Sequence, residues 1–326
     1  MGKRVHRFHP IVFLLILLLS LAMVFSAAML IDGMLGGGQV SDGPSASKTI
    51  TVDGVEYFPR QDITVMMLLG IDEAGPVKDS GSYNNTGEAD VVSLAVFDEK
   101  AKSYTVLMLN RDTMLDIPVL GIGGKPAGTR YGQLALSHTY GSGLKDSCEN
   151  TRAAVSDFLY GLEIDYYLAM NMDAIALLND AVGGVQVSVT DDFSAIDSTI
   201  PMGEVRLTGE QALSFIRTRQ GLGDQLNLSR MKRQETYMEG FFTALNGSLD
   251  GSDSFVLETY DTLSPYLVSD CPAKTLNSFA NRYAEYTFEE IISPAGENRV
   301  GSEYMEFYVD EMALQELVLQ LFYARK

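Results

Sequence analysis

Three places along the 326-residue chain combine residue types and spacings that can do chemistry. In the first, Leu68-Leu69-Gly70-Ile71-Asp72, an apolar run ends on an aspartate, and Asp90 stands immediately before the next apolar run, Val91–Phe97. If the two runs are neighbouring antiparallel strands, the carboxylates converge at one sheet edge and can share a hard cation such as Mg²⁺. Set against this, aspartates at strand ends are commonly turn or cap residues. The second place is Asn110-Arg111-Asp112-Thr113, at the end of another apolar run. An arginine at a strand exit can grip phosphate while the aspartate orients the loop; a purely structural Arg–Asp pair is the competing reading.

The third place is the most specific. Between Arg217 and Arg233 stand five basic residues (Arg217, Arg219, Arg230, Lys232 and Arg233) and a single acid, Asp224. Thr208 and Gln211 fit a capping box for a helix ending near Arg217. Ser229 can cap the next helix, which puts Arg230, Arg233 and Gln234 on one face at i, i+3 and i+4. Tyr237 and Phe241 continue that face as apolar. Arginine forks beside the free N–H groups of a helix start suit phosphate or pyrophosphate. The bland alternative is a solvated basic face.

These residues need a scaffold. Ile63–Ile71, Val91–Phe97, Tyr104–Leu109, Tyr166–Met170 and Val185–Val189 read as short, largely buried strands bounded by Gly, Asp or Asn. Asn150–Leu162, Asp173–Ala181, Glu210–Thr218, Arg230–Leu245 and Glu311–Tyr323 read as helices. The alternation predicts an α/β fold with a mixed central sheet covered by helices on both faces.

The overall charge narrows the partners. Against 24 Lys and Arg stand 43 Asp and Glu, a net −19. A chain this acidic has no general basic surface for nucleic acid, so an anion must be held by a local cluster. The 46% hydrophobic and 21% charged fractions suit a globular fold with a full core. Cys148 and Cys271 match no metal spacing; they read as two buried thiols or as a disulfide outside the cytoplasm. His138, in Leu136-Ser137-His138-Thr139-Tyr140, has no second histidine nearby and reads as structural. No phosphate-binding glycine loop, nucleophile elbow or zinc motif is present.

Ahead of the scaffold, Ile11–Ile31 carries no charge and is long enough, at about 1.5 Å per residue, to cross a bilayer as one helix. Lys3, Arg4 and Arg7 precede it and Asp32 follows. This predicts a cytoplasmic N-terminus (1–10), an uncleaved transmembrane helix (11–31) and a main domain outside the cell. The rival is a signal peptide cleaved after Ser26-Ala27-Ala28. Residues 32–60 read as a linker, with Gly33–Lys48 rich in Gly and Ser. Residues 61–247 follow as the functional domain, and 248–326 as a C-terminal helical extension packed on it.

The succession LLGID, Asp90, NRDT, GQLALSHTYG, DYYLAMNMDAIALLNDAVGGVQVSV, LTGEQALSFIRTR and SRMKRQ, spanning about Ile63 to Leu245, resembles the LytR-CpsA-Psr family of cell-envelope proteins. The resemblance implies a membrane-bound transferase that moves a glycopolymer from a polyprenyl-pyrophosphate carrier to peptidoglycan, with Mg²⁺ on the pyrophosphate. It implies that Asp72 and Asp90 are metal-linked and that Asp90 and Arg111 are catalytic. Arg217, Arg219, Arg230 and Gln234 match the family's pyrophosphate-contacting set, and Arg233, on the same expected helix face, is read as binding substrate with them. The sequence departs from the family pattern where Glu88-Ala89 replaces Arg-Ser ahead of Asp90, which should weaken carrier binding. Asn110 also replaces a proline. Two further readings keep the site: a hydrolase of lipid-linked glycan, or a non-catalytic envelope polymer-binding or regulatory protein.

Overall fold

The computed structural model describes residues 49–218, 262–271, 286–301 and 304–325, together with individual positions from 233 to 248, and 259 and 282. The expected membrane helix at 11–31 lies outside these residues. Among the described residues, no helix is long and apolar enough to cross a membrane.

The expected linker at 32–60 is corrected over its last ten residues, which form a hairpin. Strand β1 (Ile50–Val52) turns into β2 (Val55–Pro59) through Asp53 and Gly54. Both turn residues sit at positive φ, 51° and 77°. An Asp-Gly pair in this conformation is the two-residue turn that matches strand twist, so the hairpin is locally encoded.

The long strand β3 (Ile63–Ile71) is followed by β4 (Ala89–Asp98), β5 (Ser103–Leu109), and a hairpin of β6 (Met114–Leu120) and β7 (Pro126–Gln133). Helix α1 (Lys145–Phe158) ends earlier than expected, because Tyr160 and Gly161 take left-handed conformations (φ 59° and 81°) and turn the chain away. After it come β8 (Tyr166–Asn171), α2 (Ala174–Ala181), β9 (Val185–Val189), β10 (Gly203–Leu207) and α3 (Gly209–Arg217). The last described elements are β11 (Leu267–Ser269), β12 (Thr287–Ile292), β13 (Gly296–Val300), β14 (Met305–Val309), α4 (Glu311–Phe322) and β15 (Tyr323–Arg325).

The central sheet has the order β11-β8-β3-β4-β5-β12. Strands β3 and β4 are antiparallel, as are β4 and β5, while β8 runs parallel to β3. Hence β3, β5 and β8 all deliver their C-terminal ends to the same edge. Side chains alternate between two cores. Val65, Met67, Leu69 and Ile71 face a cluster that includes Ala154 and Val155 of α1 and Leu314, Val318 and Phe322 of α4. Met66, Ala95, Phe97, Tyr104 and Val106 face the opposite side, where Cys271 and Tyr286 pack against them. Each buried aliphatic or aromatic side chain contributes about 1.5–3 kcal/mol, so the two-sided burial holds this sheet rigid.

Two expectations change here. Val185–Val189 is a strand, but it pairs with β10 in its own two-stranded sheet rather than entering the central one. The C-terminal part is not simply helical: β12 joins the central sheet parallel to β5, and β15 pairs with β2. Sheet edges need partners, and the C-terminal segment supplies them. Helix α4 itself falls as expected, capped by Asp310, whose carboxylate accepts from Met312 N (3.0 Å) and Ala313 N (3.1 Å). Beside the sheet, α2, α3, β9 and β10 enclose a separate apolar cluster with Val187, Phe193, Phe215, Tyr237 and Phe241. Both cysteines are buried free thiols.

Candidate active site

The edge where β3, β5 and β8 end gathers four of the sequence-predicted residues, Asp72, Asp90, Arg111 and Arg217. Gly70 pairs with Val91 but Ile71 pairs with Ala89, so Asp90 is the extra residue of a β-bulge. The bulge breaks the strand alternation, and Asp72 N then donates to Glu88 O at 2.9 Å. Asp72 and the segment Glu88–Asp90 are thereby tied together at the mouth of the sheet.

Arg111 enters from the end of β5. Its Nη2 lies 2.5 Å from Glu88 Oε2 and its Nε 3.5 Å from Asp112 Oδ1, while Nη1 is paired with Asp90 Oδ1. One guanidinium is thus surrounded by three carboxylates. The loop that presents it is stiff. Asn110 Oδ1 accepts from Asp112 N (2.9 Å), and Asn110 O accepts from Thr113 N (3.0 Å) and Thr113 Oγ1 (2.6 Å). The asparagine restrains this turn by a side-chain hydrogen bond, an alternative to the fixed φ of a proline.

Arg217 is the last residue of α3. The helix begins as expected, with Thr208 N donating to Gln211 Oε1 at 2.9 Å. At its far end Arg217 pairs with Asp72 through Nη2 and Oδ1, with both side chains 42% exposed. Such an exposed pair adds little to stability and can reorganise around a ligand.

Arg233 requires a correction. Its residue is 4% exposed, and its guanidinium is turned inward. Nε donates to Phe215 O at 2.9 Å, Nη1 pairs with Asp191 at 2.7 Å, and Nη2 donates to Thr218 O. The reason lies in helical spacing: Tyr237, Phe241 and Leu245 form the buried stripe, and Arg233 is the preceding member of that stripe at i−4. It caps the carboxyl end of α3 instead of meeting a ligand, and so fixes the helix that carries Arg217. Arg219, Arg230 and Gln234 lie outside the described residues.

Gln133, Asn85 and Asp173, which carry no signal in the sequence, and His138, read as structural, hold the site together. Gln133 Nε2 donates to Asp112 Oδ1 and to Met305 O, both at 2.8 Å, joining the Arg111 loop to β14. His138 is buried, and its Nδ1–H donates to Gly87 O at 2.8 Å, directly beside Glu88. Burial holds the His138 imidazole below its ordinary pKa, which keeps it neutral. Asn85 Nδ2 reaches His138 O (2.8 Å), Gly141 O (2.8 Å) and Ser147 Oγ (3.1 Å), and Asp173 accepts from Gly75 N at 2.7 Å. These bonds pin the long loop between β3 and β4. The contacts are long-range, so nothing in the local sequence announces them.

Ligand sites of α/β proteins lie outside the carboxyl ends of sheet strands, and Asp72, Asp90, Arg111 and Arg217 meet at that edge here. The chain belongs to the LytR_cpsA_psr family, whose model matches residues 40–321. A teichoic acid transferase named TagU from Enterococcus faecalis is 30% identical over 248 residues, covering 73% of this chain and 70% of its own. The TagU of Bacillus anthracis is 26% identical over 272 residues, covering 82% and 80%. Among solved structures, TagT bound to LI-WTA superposes with a TM-score of 0.58 at 22% identity, covering 87% of this chain and 98% of its own. That likeness extends the agreement to the fold.

Proposed function

We propose that the protein is an envelope transferase that moves a glycopolymer from a polyprenyl-pyrophosphate carrier to peptidoglycan. The observation that carries this reading is the meeting of Asp72, Asp90, Arg111 and Arg217 at one sheet edge. The names of the TagU relatives, polyisoprenyl-teichoic acid–peptidoglycan teichoic acid transferases, support the substrate class. The reaction then joins an acceptor sugar hydroxyl oxygen to the glycan-linked phosphorus of the pyrophosphate. The bond to the bridging oxygen breaks, polyprenyl phosphate leaves, and the polymer ends in a phosphodiester.

Phosphoryl transfer asks for charge neutralisation and alignment more than for covalent participation. In this reading Arg217 and Arg111 supply two cations at the edge, and Asp90 takes the acceptor proton once a phosphate has engaged Arg111. Among the described residues, no three His, Cys, Asp or Glu side chains group as a metal site. Mg²⁺ is nonetheless commonly held by one or two carboxylates together with substrate phosphates and water, and Asp72 and Asp90 match that donor set. The ion would add positive charge where the pyrophosphate gathers negative charge. In this reading residues 11–31 anchor the chain, with the domain outside the cell.

The test is a reaction between a defined lipid-linked donor and peptidoglycan oligomers, with products weighed by mass spectrometry. A polymer–peptidoglycan phosphodiester supports the transferase. Free phosphorylated glycan would identify a hydrolase, and unchanged donor would leave a binding protein. Asp90→Asn should lower turnover by at least about a hundredfold.

A further inference from the structure

We propose that Glu88 is an internal anion that occupies Arg111 until the donor's phosphates displace it, and that it thereby weakens the hold of the site on phosphate. The inference rests on the reading that phosphate meets Arg111. The geometry explains why Glu88, of the three carboxylates around this guanidinium, is the one that moves. Asp90 is held in the bulge and its side chain is 15% exposed; Asp112 is 25% exposed and tied to Gln133 at 2.8 Å. The Glu88 side chain is 39% exposed and reaches Arg111 from the open side. Its backbone, in contrast, is fixed, because Glu88 O accepts from Asp72 N at 2.9 Å and from Asp90 N at 3.1 Å. The carboxylate can swing on its side-chain torsions without disturbing the loop.

Three carboxylates around one guanidinium leave a net negative charge at the place a phosphate must enter. Phosphate oxygens accept charge-assisted bonds from guanidinium as a carboxylate does, so the donor's phosphates compete with Glu88 for the Arg111 donors. After transfer the leaving group is a monophosphate, and the return of Glu88 to Arg111 favours its departure. Glu88 tunes phosphate affinity on this account, and is distinct from the groups that touch the reacting atoms.

The experiment measures binding of inorganic pyrophosphate and inorganic phosphate by calorimetry to the full-length protein, to Glu88→Gln, Glu88→Ala, Arg111→Gln and Arg217→Gln, and to the Glu88→Gln, Arg111→Gln double variant. Removing the Glu88 charge should tighten both ligands about three- to tenfold. In the Arg111→Gln background the Glu88→Gln change should have no such effect. Equal or weaker binding in both Glu88 variants, or the same gain without Arg111, overturns the proposal. If Arg111→Gln and Arg217→Gln lose pyrophosphate while the Glu88 variants match the parent protein, the transferase reading survives and the displacement fails. If the parent protein and every variant fail to bind pyrophosphate, both fail.

Discussion

Replacing Arg233 by methionine separates the residues that build the site from those that would touch a ligand. Arg233 bonds two carbonyls at the end of α3 and the partly buried Asp191 carboxylate. Its guanidinium also lies 5.8 Å from the centre of the Phe193 ring. Methionine fills similar space but leaves Asp191, whose side chain is 17% exposed, without this cation. Removing one partner of a buried pair costs about 3–5 kcal/mol. For a domain of this size each kcal/mol lowers Tm by roughly 2–4 °C, so the expected drop is roughly 6–20 °C. Circular dichroism melting of the full-length protein measures it. Arg217→Met is the contrasting variant. Its side chain is 42% exposed, so the melt should shift by about 1 kcal/mol or less. Donor affinity should nevertheless fall about ten- to a hundredfold, the worth of a charge-assisted hydrogen bond. Asp191→Asn combined with Arg233→Met should recover part of the lost stability. A Tm within about 2 °C of the parent for Arg233→Met, together with weakened donor binding, would refute the structural assignment of Arg233.

Further expectations concern the loops and the membrane. His138 is held neutral by burial, below its ordinary pKa of about 6.5, so the unfolded chain takes up its proton first as pH falls. Its contribution is therefore complete above about pH 6.5 and is lost as pH falls toward the depressed folded value; His138→Gln should flatten the pH 7 to 5 dependence of urea midpoints. Gln133→Leu removes two 2.8 Å bonds, to Asp112 and to Met305 O. It should cost about 1–3 kcal/mol in urea unfolding and lower turnover, whereas unchanged kinetics would show that the Arg111 loop does not need β14. Labelling of a C-terminal cysteine by a membrane-impermeant reagent on intact cells should succeed, and exclusive labelling after lysis would put the domain in the cytoplasm.

Some parts of this molecule are decided by local sequence. The nine-residue apolar run of β3 has the length and residue types of a buried strand, and it is found at Ile63–Ile71 as read. The α3 capping box and the Asp310 cap of α4 are legible because their donors and acceptors lie within three residues of each other. The Asp53-Gly54 turn was equally local and equally readable, although the segment resembled a linker by composition. The motif order along the chain puts Asp72, Asp90 and Arg111 at strand termini, and the structure has all three at one edge of the sheet.

Tertiary structure alone decided what those residues do to one another. A periodicity argument places Arg233 and Arg230 on neighbouring parts of one helix surface, but it cannot say where the core lies. The carbonyl end of α3 and Asp191 lie there, so Arg233 became a cap. Glu88 looked like a bare loss of positive charge, until the bulge at Asp90 brought its carboxylate against Arg111 from 23 positions away in sequence. The C-terminal strands found their places by the same logic, since β12 and β15 complete edges formed by residues more than a hundred positions earlier. Local hydrogen bonds and apolar periodicity are written into neighbouring residues; the partner of a charge or of a sheet edge is chosen only when distant segments pack.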